Sequence, residues 1–434
     1  MSPLLIGVLG LVALFALLAL GMPIGFAMAL VGFAGYAVIA GMQGALMQLS
    51  MVPYTTVASY IMSVLPLFLL MGQFAYISGL TKGAYYAMHK WIGHLPGGLA
   101  MATIGGCAAF AAVCGSSVAS ASTMTKVSLP EMNRYKYDPT LSMGSIAAGG
   151  TLGILIPPST GFIIYAIFAE ESVGKLFIGG IIPGILLSIL FILAIYVVTK
   201  RMPELGPRGP RTTWRDKLTA GKDIWPVAIL ALLVLGGIWG GVFSPTEAGG
   251  AGAFGAFVIG LARRKLDIQN IVDSLIDTAK MTGMIFTVLI GAMVFNYFIA
   301  ISGLPADMAR LIEALAWPSL GILIAILVIY LILGCLMDVM AMTVLTLPIF
   351  LPLLINLGFD LIWFGVIYVI MCEMALITPP IGMNVFVISG IAKDVPMYKI
   401  FRGIVPFLIA LVVCEILVIA FPQLALFLPN SMIK

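Results

Sequence analysis

Apolar runs near twenty residues long, separated by short polar stretches, fill this chain from residue 4 onward: 4–21, 24–40, 180–198, 225–242, 321–336 with its flanks, and 404–421. Each is long enough to cross ~30 Å of bilayer hydrocarbon as a helix. Full and partial spans together predict on the order of ten to twelve transmembrane passages. Paired prolines interrupt apolar sequence twice, at Pro157-Pro158 and Pro379-Pro380, with an offset of 222 residues. The same offset carries Pro23 onto Pro245, Ala119 onto Ala341, Leu129-Pro130 onto Leu351-Pro352 and Asp138 onto Asp360. An offset of 224 carries Ile77-Ser78-Gly79-Leu80 onto Ile301-Ser302-Gly303-Leu304. The pattern predicts a doubled unit whose helices break near the membrane midplane, where irregular backbone survives only if it lines a cavity or is packed in protein.

Composition agrees with a membrane chain. Hydrophobic residues make up 62% of its 434 residues, charged residues 9%, and the mean hydropathy is +1.15, against roughly 45–50% apolar in a soluble domain. No Lys or Arg precedes Lys82, so the first helix lacks the basic flank of a cleaved signal peptide and is expected to be retained. Cys107, Cys114, Cys335, Cys372 and Cys414 are scattered without paired spacing, which reads as packing rather than disulfides or metal.

Charge sets the threading. Five loops (82–90, 126–136, 200–222, 263–280 and 393–402) hold 19 of the 22 Lys and Arg, and the positive-inside rule places all five in the cytoplasm. Both termini then fall on the outer, periplasmic side. Residues 43–60 are expected along the outer interface and 63–79 to cross inward. The stretch 99–129 must leave and return on one side, a re-entrant hairpin with its tip at Gly115-Ser116-Ser117. Residues 141–156 rise to the first break and 160–169 complete that crossing. The second unit begins from the opposite side, so the repeat is inverted: 266–279 is a cytoplasmic interfacial helix, 320–354 a second hairpin with its tip near Met337-Asp338, and 363–377 runs to the second break. The organisation is residues 1–199, a basic linker 200–223 acting as a hinge or strap, and 224–434.

At a helix break, freed carbonyls suit a hard cation, and the exposed N–H groups of the following half-helix favour an anion. The first break reads Gly149-Gly150-Thr151-Leu152-Gly153-Ile154-Leu155-Ile156-Pro157-Pro158-Ser159-Thr160, facing the Gly115-Ser116-Ser117 tip; the second reads Thr378-Pro379-Pro380-Ile381-Gly382-Met383-Asn384, facing Gly334–Asp338. Acidic residues inside apolar sequence default to functional roles. Asp338 stabilises a cation or its own hairpin N–H groups, and Glu373 either neutralises a cation or braces packing. Ser244-Pro245-Thr246-Glu247 reads as a capping box, and Glu415 has no assignable role. Thr160 and Asn384, just beyond the breaks, offer polar contacts to a substrate or to freed backbone. His89 and His94 read as loop residues without metal spacing. No nucleophile elbow, phosphate loop or acid pair appears, so an enzyme is not expected.

These motifs resemble the large membrane (permease) subunit of tripartite ATP-independent periplasmic (TRAP) transporters, a family of dicarboxylate and sialic acid importers, over essentially the whole chain. The resemblance implies an elevator-type fold in the bacterial cytoplasmic (inner) membrane, in which a transport domain of hairpins and broken helices slides against a scaffold. It implies sodium-coupled import of an organic acid, with sodium as the coupling ion and no other cofactor. Its partners would be a separate four-helix membrane subunit, not fused to this chain, and an extracytoplasmic substrate-binding protein. One sodium would lie among Ser116, Ser117, Gly153, Ile156 and the carbonyls before Pro158, the second among Gly334, Asp338 and Thr378. Substrate contacts are expected from Ser159, Thr160, Gly382 and Asn384. The alternative is a self-sufficient sodium/dicarboxylate symporter of the divalent anion family, whose Ser-Asn-Thr tip signatures this chain lacks.

Overall fold

The computed structural model describes residues 2–314, 317–380 and 382–433. Lys434, expected outside, and Ile381 of the second break motif lie outside the described residues. Regular structure among the described residues is all helical, with no strand. Six helices are long and apolar enough to span a membrane, and a seventh span comes from the pair Pro139–Leu155 and Thr160–Ala169, bent by 41°. Five shorter apolar helices, among them Gly98–Cys114, Ser319–Gly334 and Leu361–Ile377, accompany these spans. Two of the five are first arms of helical hairpins and one is the first half of a broken helix.

The first hairpin consists of Gly98–Cys114 and Ser117–Arg134, the second of Ser319–Gly334 and Val339–Asn356. Each broken helix follows its hairpin: Pro139–Leu155 with Thr160–Ala169, and Leu361–Ile377 with Met383–Ile391. Residues one offset apart hold the same place in their helices. Asp138 and Asp360 are both N-caps, accepting from Thr140 N (2.7 Å) and from Ile362 and Trp363 N (2.9 Å each). Gly79 and Gly303 both take left-handed backbone, with φ of 73° and 74°, at a helix junction. Both Pro-Pro peptide bonds are cis.

Two expectations change. Residues 266–279 are not a separate interfacial helix: they run without interruption into a single helix, Ile268–Ser302, of 35 residues, about 52 Å long at 1.5 Å per residue. The polar-flecked first turns carry no Pro or cap that would end the helix. The basic loop at 82–90 is also a helix, Leu80–Ile92, which buries Leu80, Ala84, Tyr85 and Ala87 on one face and leaves Lys82 exposed; His89 sits on it rather than in a loop.

The linker is tied down at several points. Gly97 N donates to Gly206 O (2.9 Å), Gly209 N to Gly93 O (3.0 Å), Asp138 N to Leu205 O (3.0 Å) and Thr212 Oγ1 to Lys90 O (2.5 Å). It therefore straps the turn ahead of the first hairpin to the start of the first broken helix. Ser244 and Glu247 form the expected capping box. All five cysteines are free, four of them buried.

Candidate functional site

The second helix of each hairpin starts at its tip with an acceptor side chain as N-cap. Ser116 Oγ accepts from Ala119 N at 3.4 Å, and Asp338 Oδ1 accepts from Ala341 N at 3.0 Å. Because 116 and 338 are one offset apart, the two tips share their geometry and differ in charge: a hydroxyl on one, a carboxylate on the other.

The first tip docks on the first break. A Cβ at Gly153 would meet Ser116 O at 2.6 Å and Ser120 Oγ at 2.9 Å, and one at Gly115 would meet Pro158 O at 2.7 Å. Only glycine lets the two backbones approach this closely. Across the contact, Gly115 O accepts from Thr160 N (3.3 Å) and Thr160 Oγ1 (3.0 Å). Ser159 is fully buried, donating to Ile154 O and accepting from Phe162 N (3.3 Å), so its hydroxyl serves the backbone that the break sets free. The Ile156 side chain packs against Gly184.

The second hairpin packs on the second broken helix, with Gly334 against Ala375. Thr378 Oγ1 donates to Met374 O (2.6 Å). Gly334, Asp338, Ala375, Gly382 and Met383 enclose a pocket of about 210 Å³.

The first tip also meets the other half of the chain. Asn384, fully buried, donates to Ser117 Oγ at 2.7 Å and toward Ala147 O at 3.5 Å. Its amide therefore joins the second break to the first tip and stands off the cavity wall. Its Oδ1 and Ser120 Oγ are buried with no hydrogen-bond partner among the described residues, so each is a neutral oxygen acceptor left open beside a tip.

Both tips and both breaks border one central cavity of about 510 Å³, in which Ser116, Ser117, Thr160, Asp338 and Met383 face Met281 and Met284 of the long helix. A second space of about 230 Å³ shares Ser116, Ser122 and Met281 with it and continues past Gln73, Tyr76 and Thr123, toward the basic side of the chain. A third, about 590 Å³, lies by Glu170 and Asn356 and shares no lining residue with the central cavity. Gln73, Met281, Met284 and Ser120 did not emerge from the sequence reading. The sole amide within the apolar helix Val64–Ile77 was a usable signal for Gln73; the methionines carried none.

Glu373 and Glu415 are 0% and 5% exposed, and none of their four carboxylate oxygens has a hydrogen-bond partner among the described residues. Glu373, on the second broken helix, stands beside the Leu155 backbone at the end of the first and within electrostatic range of Glu415. Glu415 is remote from both breaks in sequence, but its helix, Met397–Ala420, packs against Pro139–Leu155 and Leu361–Ile377. A buried, unpaired carboxylate is costly, so Glu373→Gln should keep or raise the thermal midpoint, read by a denaturation scan of purified protein. A fall of more than a few degrees would show that a charge is held there.

Comparison with known proteins gives the same assignment. The model of the family described as "Tripartite ATP-independent periplasmic transporter, DctM component" matches residues 11–424. The C4-dicarboxylate TRAP transporter large permease protein DctM of Pseudomonas aeruginosa is 35% identical, over 87% of this chain and 88% of its own length. The isethionate TRAP transporter permease protein DctMQ of Oleidesulfovibrio alaskensis is 32% identical over 96% of this chain and 65% of its own. The 2,3-diketo-L-gulonate TRAP transporter large permease protein YiaN of Escherichia coli is 32% identical over 84% and 86%. Among solved structures, the YdaH transporter of Alcanivorax borkumensis shares the fold, with a TM-score of 0.67, 90% of each chain covered and 16% identity. These relatives are transporter permeases, and the doubled hairpins and breaks sit within the matched region, so this chain belongs to the DctM family of tripartite ATP-independent periplasmic transporters, as a large permease subunit.

Proposed function

We propose that the chain imports an organic acid by sodium-coupled, elevator-type movement of its hairpins and broken helices against a scaffold, in a bacterial inner membrane. The observation that carries this reading is the single cavity bordered by both hairpin tips, both helix breaks and the long helix. Broken helices supply carbonyls for cations and amide ends for anions in the same place.

The first sodium is assigned to Ser116, Ser117, Gly153, Ile156 and the carbonyls before Pro158, with Ser120 Oγ as a further oxygen at the Ser116–Gly153 contact. The second is assigned to Gly334, Asp338 and Thr378. Thr160 and Gly382 are the substrate-facing residues, and Ser159 and Asn384 hold the breaks and tips in register. A carboxylate substrate suits half-helix N-termini at Thr160 and Met383. Continuity of the cavity past Gln73 and Thr123 supports an inward-open arrangement, and the distribution of Lys and Arg supports periplasmic termini. A substrate-binding protein and a small, four-helix membrane subunit complete the assembly; relatives named for C4-dicarboxylates and 2,3-diketo-L-gulonate support an organic acid as cargo.

Reconstitution tests this. The chain with its small subunit in proteoliposomes should take up substrate only under an inward sodium gradient and only with the binding protein outside. Equal uptake under a potassium gradient would remove sodium coupling. Full uptake by this chain alone would favour a self-sufficient symporter.

A further inference from the structure

On the basic side of the molecule, away from the central cavity, lies a further cavity of about 530 Å³ in which Lys82, Arg263 and Lys265 converge with Tyr86 and Asp223. We propose that it is a binding site for the phosphate headgroup of an anionic phospholipid. The inference does not depend on sodium coupling or on the identity of the cargo.

Charge is the first support. Three cations line the space and one carboxylate opposes them, with Arg263 Nη2 3.8 Å from Asp223 Oδ1. One carboxylate offsets one cation, so the cavity keeps two positive charges. A fourth cation, Lys90, lies with its Nζ 5.1 Å from the centroid of the Tyr86 ring that forms the wall. Clustered Lys and Arg between transmembrane helices on the cytoplasmic side are the chemistry that anionic headgroups recognise.

The backbone adds donors. Gly79, also on the cavity wall, turns the chain in left-handed backbone into helix Leu80–Ile92, and no side chain caps that N-terminus. Its first-turn N–H groups lie at the cavity edge and carry the positive end of the helix dipole.

The surroundings select a lipid over a soluble anion. Tyr86 is 46% exposed, and Val258 and Leu261, on the helix that leads into Arg263, are 45% and 46% exposed. A phosphate on the cations would leave acyl chains free to lie along this apolar surface, whereas inorganic phosphate would make no use of it. The site joins Lys82 of the first half to Arg263 and Lys265 of the second, so a bound lipid would staple the two halves together at the membrane interface.

The test is native mass spectrometry of the full-length purified protein, delipidated and then offered dioleoyl phosphatidylglycerol, dioleoyl phosphatidylcholine or inorganic phosphate. Phosphatidylglycerol should be retained, and the other two should not compete for it. Lys82→Gln with Lys265→Gln should weaken retention roughly fivefold per lysine removed. The matched pair Lys393→Gln with Lys399→Gln, at the turn into helix Met397–Ala420, should leave retention unchanged. Equal retention of phosphatidylcholine, an equal loss in the matched pair, or wild-type retention in the Lys82/Lys265 variant would each overturn the site. Displacement by inorganic phosphate at equal concentration would overturn the lipid assignment in favour of a free-anion site. Should the double variant not fold, retention by the wild-type protein must still fall as ionic strength rises, and salt-independent retention would overturn the proposal.

Discussion

Gly153→Ala is expected to weaken the apparent sodium affinity of uptake by roughly five- to a hundredfold while the protein still inserts and purifies. The added Cβ would lie 2.6 Å from Ser116 O and 2.9 Å from Ser120 Oγ, inside the contact distance of ordinary side chains. Neither neighbour is the far end of a flexible chain: one is backbone, the other a hydroxyl one bond from its Cβ on a buried helix turn. The tip must therefore back away from the broken helix, at a cost of about 1–3 kcal/mol for overpacking. A cation held between tip and break needs oxygens from both, so displacement of a few tenths of an ångström acts on affinity first. A sodium titration of uptake in proteoliposomes measures it. The same methyl group at Gly221, which has open space around it, should change nothing, and an unshifted titration for Gly153→Ala would mean that no ion sits at this contact.

The parts of the site that the sequence disclosed are those encoded locally. Paired prolines deny the helix its donors within a few residues, so both breaks stand out in the one-dimensional pattern. The Gly115-Ser116-Ser117 turn and the Ser244–Glu247 box are likewise short-range devices and occur where expected. What escaped was tertiary or masked. In Leu80–Ile92, Lys82, His89 and Lys90 hide a face of small and aromatic residues that packing, not charge, makes helical. The bond from Asn384 to Ser117 spans 267 residues, and no local pattern signals it. Glu415 looked isolated because its distance from the breaks along the chain says nothing about its helix, Met397–Ala420, packing back on Pro139–Leu155 and Leu361–Ile377. The repeat offsets supplied the long-range constraint available from sequence, and the structure adds that Ser116 and Asp338, 222 residues apart, are equivalent caps.

That equivalence yields the sharpest separation of charge from structure. Asp338→Asn should weaken apparent sodium affinity tenfold or more, whereas Ser116→Ala should have the smaller effect on binding and the larger one on stability. Asparagine caps a helix about as well as aspartate, so the bond to Ala341 N survives and only the charge is removed. At the surface-like effective dielectric of about 20, a unit charge ~4 Å from a cation is worth about 4 kcal/mol before desolvation is counted, more than enough for a tenfold change. Ser116→Ala deletes a cap instead, with an expected loss of about 1 kcal/mol in stability, and leaves the Ser116 carbonyl and Ser117 in place for the ion. Sodium titrations and thermal midpoints of the two variants, measured side by side, read both quantities. If Asp338→Asn leaves sodium affinity unaltered, the carboxylate is a helix cap alone, and the second cation must be held by the oxygens of Gly334 and Thr378 without it.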